Sequence, residues 1–148
     1  MITENLARLF ERDILKLKTE ISAYTDEQKL WLTAGEISNS AGNLCLHLLG
    51  NLQHYIGHVL GNTSYVRDRP LEFSRKNVGR DDMVYEIDHT RHVVVSTLQS
   101  LPEETLMKMY PENVMGQEMT TEYFLLHLLA HLSYHLGQIN YHRRLLGS

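Results

Sequence analysis

Cysteine is all but missing from this chain: Cys45 stands alone among 148 residues. No intramolecular disulfide can form, and Cys-rich zinc architectures are excluded. A single thiol suits a reducing compartment, so a cytoplasmic location is expected. Proline is almost as scarce. Pro70, Pro102 and Pro111 all fall between long periodic segments, which are therefore free to run as uninterrupted helices. Positive charge is in deficit, with 14 Lys and Arg against 18 Asp and Glu and a net charge of -4, which argues against nucleic acid or an anionic membrane as partner. The opening "MITENLARLFERD" lacks the apolar run of a secretory signal. The uncharged run from Tyr123 to His142 is too rich in His, Gln, Asn and Tyr to span a bilayer. No repeat of solenoid period is visible either. What is present, 43% hydrophobic residues, suffices for the core of one domain over residues 1–148.

The periodicity predicts four long helices. The first, over about residues 3–24, aligns Leu6, Phe10, Leu17, Ile21 and Tyr24, with charged residues around the rest of its surface. Asp13 is the oddity within that stripe. It is either a carboxylate orienting a ligating imidazole or a residue at the stripe's boundary. The second helix, about 40–61, comes after "SNS", whose Ser38 or Asn39 can cap its first turn, and closes at "GN". The third, about 81–100, opens on Asp81 and Asp82 and lines up Met83, Ile87, Val94 and Leu98 before Pro102. The fourth runs from near Thr120 to about Leu146, with Arg143 and Arg144 in the last turn. Between the second and third lies "TSYVRDRPLEFSRKNVG", far longer than a tight turn requires. The economical architecture is all-α, a four-helix bundle with a long crossover connection. The stretch "LMKMYPENVMGQEMT" is left open between a short hairpin and a loop.

Absence of charge is most informative inside the second and fourth helices. At about 100° per residue, His127, His131, His135, Gln138 and His142 fall within one stripe of roughly 80° on the fourth. The second helix carries a similar stripe of Ser40, Asn43, His47, Asn51, His54 and His58. A solvated face recruits Lys, Glu, Arg and Asp, as the first helix does, whereas these two seams recruit none. They are better explained by a partly dry pocket. There an imidazole left without a partner costs on the order of 1 to 3 kcal/mol, which one shared cation would relieve for several rings at once.

His131 and His135, four residues apart, lie on adjacent turns with roughly 5 to 6 Å between them, close enough to converge on one ion. A third imidazole from the facing helix would complete a three-nitrogen site with an open position, as in catalytic zinc centres. His47 is the preferred third ligand and His54 the reserve. His127, His58 and His142 are expected to line the pocket or to be partly exposed, and His89 and His92 to lie at the surface. Leu132 stands directly after His131 where a gluzincin would have Glu, so peptide hydrolysis by that route is excluded. Cys45 points about 160° away from His47 and reads as a core thiol. A haem reading fails to single out one axial pair among the seam histidines.

The stretches "NSAGNLCLHLLGNL" and "HLLAHLSYHLGQINYHRR" resemble the second and fourth helices of the DinB/YfiT-like superfamily of metal-binding four-helix bundles, over essentially the whole chain. That resemblance implies His47, His131 and His135 as the metal ligands, in agreement with the spacing. It also implies zinc or nickel as the ion, a water-filled pocket and a homodimer. Relatives often read H-R-G-Q after the last ligand, whereas Leu136 stands in the Arg position here, leaving no Arg to contact an anion or thiol at that place. Characterised relatives include thiol-dependent S-transferases and a mycothiol-dependent isomerase.

The expected function is a divalent-metal-dependent transferase in which a low-molecular-weight thiol, activated by the metal, attacks a small electrophile. Asn51, His54 and Gln138 would orient substrate or bound water. The alternatives are a non-catalytic binder of metal or small ligands, of stress-protein type, and hydrolysis by metal-activated water. Three imidazoles accept several first-row ions, and zinc is favoured on availability.

Overall fold

A computed structural model describes residues 1–147, and its long elements are all helical. Helix α1 spans Ile2–Ser22, α2 spans Ala41–Leu52, α3 is the short Arg69–Ser74, α4 spans Arg80–Ser100 and α5 spans Thr121–Leu146. Single 3-10 turns at Glu27–Trp31 and Glu103–Met107 join α1 to α2 and succeed α4. The four long helices form a ring in which α1 packs on α4 and α5, while α2 closes the other side against α5 and α4. The core is the set of faces that periodicity marked: Leu6, Phe10, Leu17 and Ile21 of α1 and Met83, Ile87, Val94 and Leu98 of α4 are all buried.

Local chemistry sets most boundaries within a residue or two of those expected. The α5 amides are capped by Thr120, whose hydroxyl accepts from the Tyr123 amide at 3.1 Å, and its last turn carries Arg143 and Arg144. The α2 cap differs from expectation. Ser40, rather than Ser38 or Asn39, accepts from the Asn43 amide at 3.2 Å. The hydroxyl one residue before the first helical position is the one that reaches the orphan amides.

Helix α2 also does not continue to residue 61 as regular α. From Gln53 to His58 it widens into π turns, with Val59 N bonding His54 O and Gly61 N bonding Ile56 O, each at 3.0 Å. A π turn takes in an extra residue and rotates the succeeding side chains out of the α register. His58 is accordingly turned to solvent, where its Nδ1 donates to the Thr63 carbonyl at 2.6 Å.

The crossover is not a plain polar loop. It contains α3, with Asp68 capping the Leu71 amide at 3.2 Å and Pro70 in the first turn. Helix α3 packs on α2 and thereby carries side chains to the bundle's polar interior. After Met107 the chain closes as a hairpin pinned by one antiparallel bridge, Met109 with Thr120. Among the described residues no helix is long and apolar enough to cross a membrane.

Candidate metal centre

Three imidazoles from two helices converge between α2 and α5. His47 and His131 face each other through their Nε2 atoms at 3.1 Å. Ring centroids are 5.0 Å apart for His47 and His131, 5.4 Å for His47 and His135 and 4.6 Å for His131 and His135. The planes meet at 79°, 87° and 88°, so the rings stand nearly perpendicular to one another. One ligating atom from each lies within 4.8 Å of the other two. Two nitrogens on a tetrahedral zinc, each about 2.0 to 2.1 Å from it, would be roughly 3.4 Å apart. The triad therefore needs only small ring movements to hold a divalent ion.

The outward nitrogens of two rings are held by protein groups, which leaves their inner lone pairs free. His47 Nδ1 donates to Glu72 Oε1 at 3.1 Å. His135 Nδ1 donates to Gln138 Oε1 at 2.7 Å. Fixing a histidine's tautomer by a hydrogen bond on its far side is how ligating imidazoles are oriented toward a metal. His131 Nδ1 is buried and has no hydrogen-bond partner among the described residues. Without a cation, only one proton can sit between the two facing Nε2 atoms. A cation would take up both inner lone pairs at once, and the facing nitrogens are the observation on which the donor set fits a metal.

Burial favours the neutral form of two of the three rings. Burial, reinforced by His135 and His47, pushes His131 down to about 4. His135 is also lowered, chiefly by burial, although its bond to Gln138 opposes the shift. Glu72 is buried, which alone would raise its carboxyl; the hydrogen bonds from His47 and Arg67 outweigh this and hold it below the ordinary carboxylate range. Arg67 reaches Glu72 with Nε at 2.9 Å and Nη2 at 3.0 Å. Both carboxylate oxygens are thus engaged.

The ion-free protein acquires a pH dependence from this. Because His131 titrates near 4 when folded and near 6.5 when unfolded, the unfolded chain binds the extra proton between those values. Stability is then complete above about pH 6.5 and declines as pH falls toward 4, by on the order of 1 to 2 kcal/mol once partial exposure is allowed for. Urea titrations of chelator-treated protein from pH 7.5 to 4.5 measure the slope. It should be shallower in His131→Ala, and an equal slope in both proteins would refute the assignment.

Glu72, Arg67 and their accommodation on α2 were not anticipated. Helix α3 was legible only through "DRP", an N-cap with proline in the first turn behind it. Gly50 gave the other hint, since a glycine inside a helix costs about 1 kcal/mol relative to alanine and so usually marks a close approach. A Cβ there would overlap the Glu72 carboxylate. Phe73, on the same short helix, packs against the His47 ring with centroids 4.8 Å apart.

The remaining seam residues part company. His54 does not join the triad; its Nε2 turns to the Glu112 carboxylate at 3.1 and 3.2 Å, because that acid lies on the hairpin packed beside α2. Asn51 is buried one turn beyond His47, and its Oδ1 has no hydrogen-bond partner among the described residues. His127 is half-buried and stacks on Phe124. His142 is buried at the far end of α5 between the Tyr24 hydroxyl, 2.6 Å from Nδ1, and the Leu32 carbonyl, 2.8 Å from Nε2. It fastens the chain after α1 to the end of α5. His89 and His92 are exposed. Asp13 is buried rather than at a boundary, and its partner is Arg12 at 2.8 Å, not an imidazole. Leu136 is turned into the core. Cys45 is fully buried, and burial pushes its thiol up to about 12, as suits a core residue.

No curated protein matches this chain. A family model does, over residues 5–148, a span that takes in the converging histidines together with the helices and crossover that position them. The chain belongs to the DUF1572 family, described as proteins of unknown function.

Proposed function

We propose that this protein is a divalent-metal-dependent transferase of the DinB/YfiT-like kind, in which His47, His131 and His135 hold zinc or nickel and a small thiol is the nucleophile. The observation that carries the proposal is the near-perpendicular convergence of three imidazoles, two of them held by hydrogen bonds to Glu72 and Gln138. A divalent ion in such a site supplies positive charge that lowers the pKa of a coordinated thiol or water.

The surrounding residues favour thiol chemistry over hydrolysis. Protonating the poor leaving group of a typical hydrolysis calls for a carboxylate or imidazole free to move protons. Glu72, the carboxylate bonded to the triad, is committed to His47 and Arg67 through both oxygens. Attack by a metal-ionised thiol on an electrophile whose leaving group departs as a stable anion needs no such acid. Arg67 is positioned to preserve the Glu72 charge, and Gln138 to hold the His135 ring, so both act on the ligands rather than on substrate.

Turnover decides between an enzyme and a metal binder. Zinc- or nickel-loaded protein incubated with cysteine, glutathione or bacillithiol and a reactive haloarene should form thioether faster than thiol and free metal alone. His131→Ala should return the rate to that background. Stoichiometric metal without any metal-dependent product would leave a non-catalytic binding protein.

A further inference from the structure

Two sizeable cavities border the bundle's polar interior. The larger, about 540 Å³, lies between α2, the crossover and α4 and includes Glu72 but no histidine of the triad. A second, of about 470 Å³, lies between the segment 36–39 and the C-terminal half of α5, and His135 and Gln138 are part of its wall. It is thus the cavity that one ligating ring shares with the candidate centre. Its volume is in the range of small-molecule sites, roughly 300 to 1,000 Å³.

The lining gives the chemistry of the occupant. Ile37, Leu44, Tyr141 and Leu145 make its apolar wall, and Glu36 is the only Asp, Glu, Lys or Arg among the ten lining residues. None of the ten is Lys or Arg, and the Arg144 guanidinium beside the wall is engaged over the Tyr141 ring, 4.9 Å from its centroid. Ile37, Tyr141 and Leu145 are 36%, 62% and 70% exposed, so large apolar side chains face solvent beside the triad. Clustered exposed apolar surface beside a few convergent polar groups is characteristic of a ligand site.

Resting on the metal-centre reading above, we propose that this cleft seats the uncharged, apolar body of the molecule that reacts at the centre, with its reactive end directed to His135. Anionic bodies are disfavoured against the apolar wall, because Glu36 repels them and none of the lining residues is Lys or Arg.

Calorimetry on the metal-loaded protein tests this with three thiol-headed probes of matched length, ending in phenyl, carboxylate or ammonium. The thiol anchors each probe at the metal, and the tail reports on the cleft. The phenyl probe should bind at least tenfold more tightly than the carboxylate probe, and Leu145→Glu or Tyr141→Arg should weaken it about tenfold. Both side chains are largely exposed, so these variants should fold and bind metal as the unaltered protein does. Metal titration of each protein separates the two ideas. If the ion binds but the tails are not discriminated, or the variants do not matter, the cleft proposal is overturned and the centre stands. If no ion binds to the unaltered protein, the centre itself has failed. Sedimentation showing a dimer that Leu145→Glu dissolves would assign the apolar wall to a second copy of the chain and also overturn the proposal.

Discussion

Replacing His131 by alanine is expected to abolish stoichiometric zinc or nickel binding while leaving the ion-free fold intact. Three nitrogens are the minimum of an open catalytic site, and two imidazoles without His131 retain neither its geometry nor its affinity. His131 is the central member, with rings of His47 and His135 at 5.0 and 4.6 Å. Elemental analysis after purification with saturating metal should fall from about one equivalent to background. Thermal denaturation provides a second reading. An ion present at a thousandfold its dissociation constant stabilises a protein by about 4 kcal/mol, or several degrees in Tm for a chain of this size. That increment should vanish in the variant. In contrast, the ion-free variant should be within about 1 kcal/mol of the parent, since the lost imidazole carries an unpartnered buried nitrogen whose removal offsets lost packing. Retention of a full equivalent by His131→Ala would refute the centre.

Glu72→Ala should be the most destabilising single change at the site. It leaves Arg67 half-buried with no counter-charge and His47 without its orienting acceptor. Breaking a buried ion pair from one side costs about 3 to 5 kcal/mol, and losing the partner behind a ligating histidine lowers metal affinity by about 10- to 100-fold. Denaturant titration measures the first effect and competition with a chromogenic chelator the second. Glu72→Gln retains an acceptor for His47 and should recover part of the affinity, though not the pairing with Arg67. Gly50→Ala tests the same arrangement from α2, because its methyl group would occupy the space of the Glu72 carboxylate. It should reproduce the affinity loss without replacing any charged residue. Unchanged affinity in both Glu72→Ala and Gly50→Ala would show that the carboxylate does not orient His47.

How far the candidate site could be read from the chain differs from residue to residue. His131 and His135 belong to one helix, so their separation is a matter of helical geometry alone, and the spacing of four already placed them side by side. His47 depended on a correct register between two helices, which the shared absence of charge on the two seams suggested. His54 shows what that reasoning leaves open. It lies seven residues beyond His47 and shares its stripe on a helical wheel, yet Glu112 from a distant hairpin draws it away. No pattern within α2 announces that partner, nor the π turns that begin at Gln53.

By itself the sequence determined the helical class, the four long elements, the faces that enter the core and the charge-free seams. All of these are periodic properties of contiguous segments, written in the positions of apolar, capping and charged residues. Only the tertiary structure decided which seam histidines meet, that Glu72 from the crossover stands behind His47, and that a cleft with an apolar wall opens beside His135. Those depend on groups 25 to 84 residues apart, such as Glu72 with His47 and His131 with His47. Their approach is set by how whole helices pack, and a helical repeat carries no record of its neighbour across the bundle.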